Sequence, residues 1–336
     1  MKRQSPPKPF TTSQLVLTSM CAVLLLTGCG GPPPKSSAER QTQTKPIGPL
    51  GTRASSTDRE VYTTFYPTQY FAERIGSSHI EVVCPVPKDA DPISWLPELK
   101  TIQAYQSAAL IIINGAEFEK WISKVSLPHS RMVNTAKSFR DRFIEFEDTV
   151  THSHGKEGEH AHEGIDGHTW LDPHLAKIQA REILKALVKI FPEHAADFEK
   201  GYASLSADLD SLDAELKELQ QRLKREPLLA SHQAYNYIAR RYDWNLKNLD
   251  LNPEQVPTDE QMKGIAKFQK DHPAKYVLWE SAPLTESAER MKKELGLESI
   301  EFSPCELMSE ADRNAGKDYL SVMKQNLKNL LTIQNQ

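Results

Sequence analysis

HAADFEKGYASLSADLDSLDAELKELQQRLKR, residues 194–225, carries its apolar residues at Phe198, Tyr202, Leu205, Leu209, Leu212, Leu216, Leu219 and Leu223. Steps of three and four keep these side chains on one face of an α-helix. Asp208, Asp210, Asp213, Glu215, Lys217, Glu218 and Arg222 suit the opposite, solvated face. Pro192 is placed for a helix start, and Pro227 forbids continuation. At about 1.5 Å per residue the helix would span roughly 45–50 Å, more than a small domain needs. Such a stripe can close on a second chain as a coiled coil, or it can be the strut between two lobes. The flanks favour the strut, because both alternate strand and helix signals.

Upstream, Val61–Tyr66 and Ile80–Val86 read as strands, with Thr68–Ile75 as a short helix. A helix follows over Pro97–Ala108, then the apolar run Ala109–Ile113 closing in Asn114-Gly115, the pattern of a strand buried on both faces. Glu117–Val125 reads as the next helix, and Asp172-Pro173 opens another reaching about Ile190. Downstream, Leu228–Ser231, Asn245–Leu251, Tyr276–Trp279 and Ser299–Ser303 are strands, and Ala234–Tyr242, Glu260–His272, Glu286–Leu295 and Asp318–Leu331 are helices. The pattern predicts an α/β protein of two lobes, each a mostly parallel sheet flanked by helices, joined by one long rigid interlobe helix. The expected boundaries are an N-terminal lobe at 59–192, a linking helix at 193–226 and a C-terminal lobe at 227–336.

Residues 1–29 form a targeting segment. Lys2 and Arg3 supply its positive end, and the apolar run Leu15–Leu26 is too short to span a bilayer comfortably. Leu26-Thr27-Gly28-Cys29 has the form of a lipobox, which makes Cys29 the lipid-bearing residue and places the mature chain outside a membrane. A single transmembrane anchor is the other reading. Residues 30–58, rich in Gly, Pro, Ser, Thr and Gln, read as a disordered tether. With 41 basic and 45 acidic residues, the net charge of −4 gives no reason to expect nucleic acid. Of four cysteines, Cys84 and Cys305 remain after Cys21 and Cys29, and export makes a disulfide between them one of two outcomes; two separate thiols is the other.

The chemistry is concentrated in THSHGKEGEHAHEGIDGHTWLDPH, residues 151–174, which holds six of the eleven histidines. Imidazole is the commonest protein ligand for zinc and similar divalent metals. His152, His154, His160 and His162 lie among Gly and Glu residues, expected to keep the loop at 151–168 irregular and metal-attracting. A tight site needs ligands on rigid elements. His168 precedes Trp170-Leu171-Asp172-Pro173 at a helix entry, and His232 follows the first strand of the second lobe. Both positions face the expected cleft between lobes.

From about Val61 to Leu331 the chain resembles the zinc/manganese-type (cluster A-I) solute-binding lipoproteins of bacterial metal ABC transporters. The resemblance is carried by the lipobox, TTFYPTQYFAERIG at 63–76, VPKDADPISWLPEL at 86–99, ALIIINGAEFEKW at 109–121 and the His-rich loop. GHTWLDP at 167–173, ASHQAYNYIARRY at 230–242 and DYLSVMKQNLKNL at 318–330 complete it. It implies a monomeric, membrane-anchored receptor facing the periplasm or cell exterior. Such a receptor holds one divalent metal between lobes, moves by a small hinge and hands its cargo to an ABC permease. Two family ligands fall on His168 and His232. The first family histidine falls on Ile93, and the last ligand, an aspartate, falls on Ser303. Glu306 or Cys305 is a substitute for the latter if the loop shifts, and His152 or His154 for the former. Glu280 is a further candidate, weighed against a structural role capping the next helix. Zinc is favoured by two imidazoles with one carboxylate, with manganese or another divalent metal as the alternative. Two other functions fit the same residues: a degenerate relative serving as metal buffer, sensor or adhesin, and a zinc hydrolase. The hydrolase is disfavoured because His162-Glu163 lacks a second histidine four residues on.

Overall fold

The computed structural model describes residues 56–334, apart from 89, 147–149, 154–158, 163 and 224. The targeting segment, Cys29 and nearly all of the expected tether lie outside the described residues; a 3-10 turn at Ser56–Arg59 begins the fold. No helix among the described residues is long and apolar enough to cross a membrane.

The first lobe alternates β1 (Glu60–Thr63), α1 (Tyr66–Gly76), β2 (Glu81–Val83), α2 (Leu99–Ser107), β3 (Leu110–Ile113) and β4 (Met132–Asn134), and β5 (Val150–Ser153), β6 (Glu159–His162) and α3 (Pro173–Ile190) follow. After α4 (Ala195–Leu223) come β7 (Leu228–Ala230), α5 (Asn236–Arg241), β8 (Leu246–Asn248), α6 (Asp259–Phe268), β9 (Tyr276–Trp279), α7 (Thr285–Leu295), β10 (Glu298–Glu301), α8 (Glu310–Asn314) and α9 (Tyr319–Leu331). Two parallel four-stranded sheets result, ordered β2-β1-β3-β4 and β8-β7-β9-β10. Each lobe thus places its strands in the same sequential pattern, second, first, third, fourth.

The stripe on α4 closes within the chain. Phe198, Leu205, Leu209, Leu212 and Leu216 are fully buried, and the helix packs against α1, α3 and α9. One apolar cluster runs from Val61 and Phe71 through these leucines to Leu228, Leu278 and Phe302, so the strut joins both lobes and no coiled-coil seam is left over. Burying a leucine is worth about 1.5–3 kcal/mol relative to leaving it exposed. Gly201 permits the close approach of α1, since a Cβ there would stand 2.7 Å from the carbonyls of Arg74 and Ile75. Strand residues divide between faces by the two-residue period: Leu110 and Ile112 join the central cluster while Ile111 and Ile113 pack with Trp95, Tyr105 and Trp121. Asp172 caps α3 by accepting from the backbone N–H groups of His174 and Leu175, with Pro173 in the first turn.

Several expectations need correction. Glu117–Val125 is not an α-helix but a 3-10 turn at Lys120–Lys124. Gly115, Ala116 and Glu117 have φ of 81°, 51° and 59°, and the buried Glu119 carboxylate turns back to accept from the N–H groups of Asn114 and Gly115. That left-handed run leaves no room for a helical start. The His-rich loop is not irregular throughout: β5 and β6 form an antiparallel ribbon with His152 opposite His160 and Val150 opposite His162. Cys84 and Cys305 are free thiols rather than a disulfide, because they belong to different apolar clusters.

Candidate metal centre

The carboxyl ends of the strands carry the site, as open α/β sheets require. His232 lies just past β7, and Glu306 lies on the loop after β10. His168 reaches them from the segment before α3. Side-chain ligand atoms of His168, His232 and Glu306 all lie within 4.8 Å of one another, with both histidines buried. His168 Nε2 stands 2.8 Å from Glu306 Oε1, and the two imidazole centroids are 5.6 Å apart.

His168 and the loop bearing Glu306 are held in place by their surroundings. Asp166, fully buried, accepts from both the backbone N–H and Nδ1 of His168, at 2.9 and 2.7 Å. This fixes the ring and leaves Nε2 aimed at Glu306, the arrangement by which a second carboxylate orients a metal-binding imidazole. Asn236 donates to the other Asp166 oxygen from the second lobe at 3.0 Å, and Tyr237 donates to the Asp166 carbonyl at 2.9 Å. Asn114 donates to the carbonyl of Gly167, and a Cβ at that glycine would strike Phe118 at 2.9 Å. The loop bearing Glu306 is held by Trp170 Nε1 donating to the Pro304 carbonyl at 2.7 Å and by Asn326 bracketing Ser303.

Charge follows from this geometry. Burial pushes the His168 imidazole toward its neutral form, but the Asp166 and Glu306 carboxylates outweigh it and hold its pKa at about 10. In the metal-free protein His168 is therefore a buried imidazolium bridging two carboxylates.

The loop after β10 also settles the serine. Ser303 spends its hydroxyl accepting from the Cys305 N–H, and its backbone pairs with Asn326. Cys305 takes a left-handed φ of 61°, is buried, and has its thiol pushed up by that burial. The turn brings in Glu306, three residues beyond the serine. Ile93 is buried in the central apolar cluster. Glu280 does not cap α7, whose N-cap is Leu284; it faces His232 instead, with Oε2 3.9 Å from Nδ1. Glu280 and Glu306 line one cleft of about 240 Å³ between the lobes, together with Pro92, Pro253 and Ser303. His152, His160 and His162 lie on the ribbon, and His154 is outside the described residues. Sequence reasoning missed Asp166; the only signal was an acid two residues before His168 beside a glycine.

A protein-family model described as zinc-uptake complex component A, periplasmic (ZnuA), matches residues 61–333. The zinc-binding lipoprotein AdcA of Streptococcus pneumoniae strain R6 is 28% identical over 323 residues, covering 94% of this chain but 60% of that protein, so the chain spans about three-fifths of its length. The high-affinity zinc uptake system protein ZnuA of Bacillus subtilis strain 168 is also 28% identical, over 94% of this chain and 95% of its own. The crystal structure of the metal-dependent lipoprotein YcdH from Bacillus subtilis superposes with a TM-score of 0.71 at 25% identity, covering 81% of this chain and 97% of that one. With most of its length matched by one family model, the chain belongs to the periplasmic zinc-uptake complex component A family.

Proposed function

We propose that this protein is an extracytoplasmic solute-binding protein that captures one zinc ion between its lobes on His168, His232 and Glu306 and delivers it to an ABC permease. The observation that carries the proposal is the convergence of an imidazole from one lobe with an imidazole and a carboxylate from the other. Two nitrogens and one oxygen suit zinc, and the related proteins named as zinc-binding and zinc-uptake components support the same ion. In tetrahedral zinc, ligands stand about 3.3 Å apart, so the 2.8 Å pair of His168 and Glu306 opens slightly to admit it. Glu280 stands within reach as an orienting partner of His232 or a further oxygen ligand. Manganese, which takes more oxygen ligands, fits this donor set less well.

The lipobox supports anchoring through lipid at Cys29, and burial of the α4 stripe inside the chain supports a monomer. The histidines of the His-rich segment, His152, His154, His160 and His162, serve as an accessory metal collector. A receptor of this kind binds and releases without turnover, in keeping with a family of transport components rather than enzymes. Calorimetric titration of metal-stripped protein with zinc and with manganese tests the proposal. One tight zinc site, abolished by either His168→Ala or His232→Ala, is expected. Weak, multiple binding that ignores both substitutions would replace the receptor with a metal buffer.

A further inference from the structure

A second group of metal-ligating side chains sits at the other end of the first lobe. His79 immediately precedes Ile80 and β2, and Asp58 and Arg59 precede β1, so they mark the amino ends of strands whose carboxyl ends face the cleft. These residues, with Glu193 and His194, line a cavity of about 410 Å³. The imidazoles of His79 and His194 stack there, with centroids 4.0 Å apart and planes 26° from parallel. His79 Nε2 pairs with Asp197 Oδ2 at 2.9 Å, and His194 Nε2 lies 3.7 Å from Glu193 Oε1. His194 closes the 3-10 turn that leads into α4, and Asp197 lies three residues on in the first turn of α4.

We propose that His79, His194 and Asp197, with Glu193 beside them, form a second, peripheral site for a borderline divalent metal ion such as zinc. Two ligands bonded to one ion at about 2.1 Å stand about 3.0–3.4 Å apart. His79 and Asp197, at 2.9 Å, stand just inside that spacing and open slightly to admit an ion. The charge balance suits a cation: Asp58 and Glu193 line the cavity, Asp197 pairs with His79, and the guanidinium of Arg59 donates to the carbonyls of Ser78 and His79. Among the described residues only the cleft triad has three ligand atoms already within 4.8 Å, so closure here requires His194 to swing out of the stack. That rearrangement and the partial exposure of every ligand make this site weaker than the cleft. Its function is independent of transport: an ion there would pin the start of the interlobe strut to the turn after α1.

Nitrogen-15 NMR of histidine side chains during a zinc titration tests this directly. After the first equivalent fills the cleft, the ring nitrogens of His79 and His194 should shift together and saturate with a single midpoint. Asp197→Asn should weaken that step by roughly tenfold or more, the scale of losing a supporting group from a metal site. Replacing His152, His154, His160 and His162 with alanine should leave it unchanged. His79 and His194 resonances that stay still, or that move with unrelated midpoints, would overturn the proposal. So would a midpoint that is indifferent to Asp197→Asn or that vanishes with that four-histidine replacement.

Discussion

Raising the pH should tighten zinc binding, because His168 must lose a proton before it can be a ligand. Its ring stands between the Asp166 and Glu306 carboxylates, at 2.7 and 2.8 Å, which hold its pKa at about 10. Neutralising it costs about 1.36 kcal/mol for each pH unit below that value, hence ~4 kcal/mol at pH 7. Apparent zinc affinity should therefore climb roughly tenfold per pH unit above neutrality and level off near pH 10. At pH 8 this residue should release about one proton per zinc, whereas an imidazole of ordinary pKa near 6.5 would release about 0.03. Competition with a chromophoric chelator gives the affinity at each pH, and calorimetry in buffers of different ionisation enthalpy counts the protons. An affinity flat between about pH 7.5 and 9, with a proton count near zero, would refute the bridged imidazolium.

The same residue contributes a pH-dependent part of the stability of the metal-free protein. Its folded pKa of about 10 lies above the unfolded value, so its contribution is complete below about pH 6.5 and lost as pH rises through 10. Thermal unfolding should show the metal-free Tm falling across that window, with the zinc-loaded Tm changing less. Asp166→Asn should weaken zinc binding by roughly 10- to 100-fold and reduce the proton count, both readable in the same calorimeter. Deleting residues 153–164 should remove weak metal binding and leave one tight site; loss of all tight binding would make the ribbon a donor to the cleft.

The long helix and the paired α/β lobes were legible because pattern reports burial: the three-and-four stripe of α4 is buried along one face, and the continuous apolar runs of β3 and β9 are buried on both. Met132–Asn134 was not, since an edge strand of three half-buried residues has no apolar run to announce it. The turn at Gly115–Glu117 was hidden because its left-handed backbone is stabilised by Glu119, a tertiary contact with no local signature. His168 and His232 could be placed from their positions after or before regular elements. Glu306 could be placed only as one of several substitutes, because the left-handed turn at Cys305 that brings it to His168 is a matter of backbone geometry. Asp166 supports the site through a hydrogen bond rather than as a ligand, and ligand spacing does not reveal such groups.

Anomalous diffraction at the zinc edge from crystals of the zinc-loaded protein tests the central claim most directly. One strong peak between the lobes, about 2.0–2.2 Å from His168 Nε2, a nitrogen of His232 and a carboxylate oxygen of Glu306, is the predicted result. A principal peak held on the ribbon histidines, or in the cleft with Glu306 turned away, would contradict it.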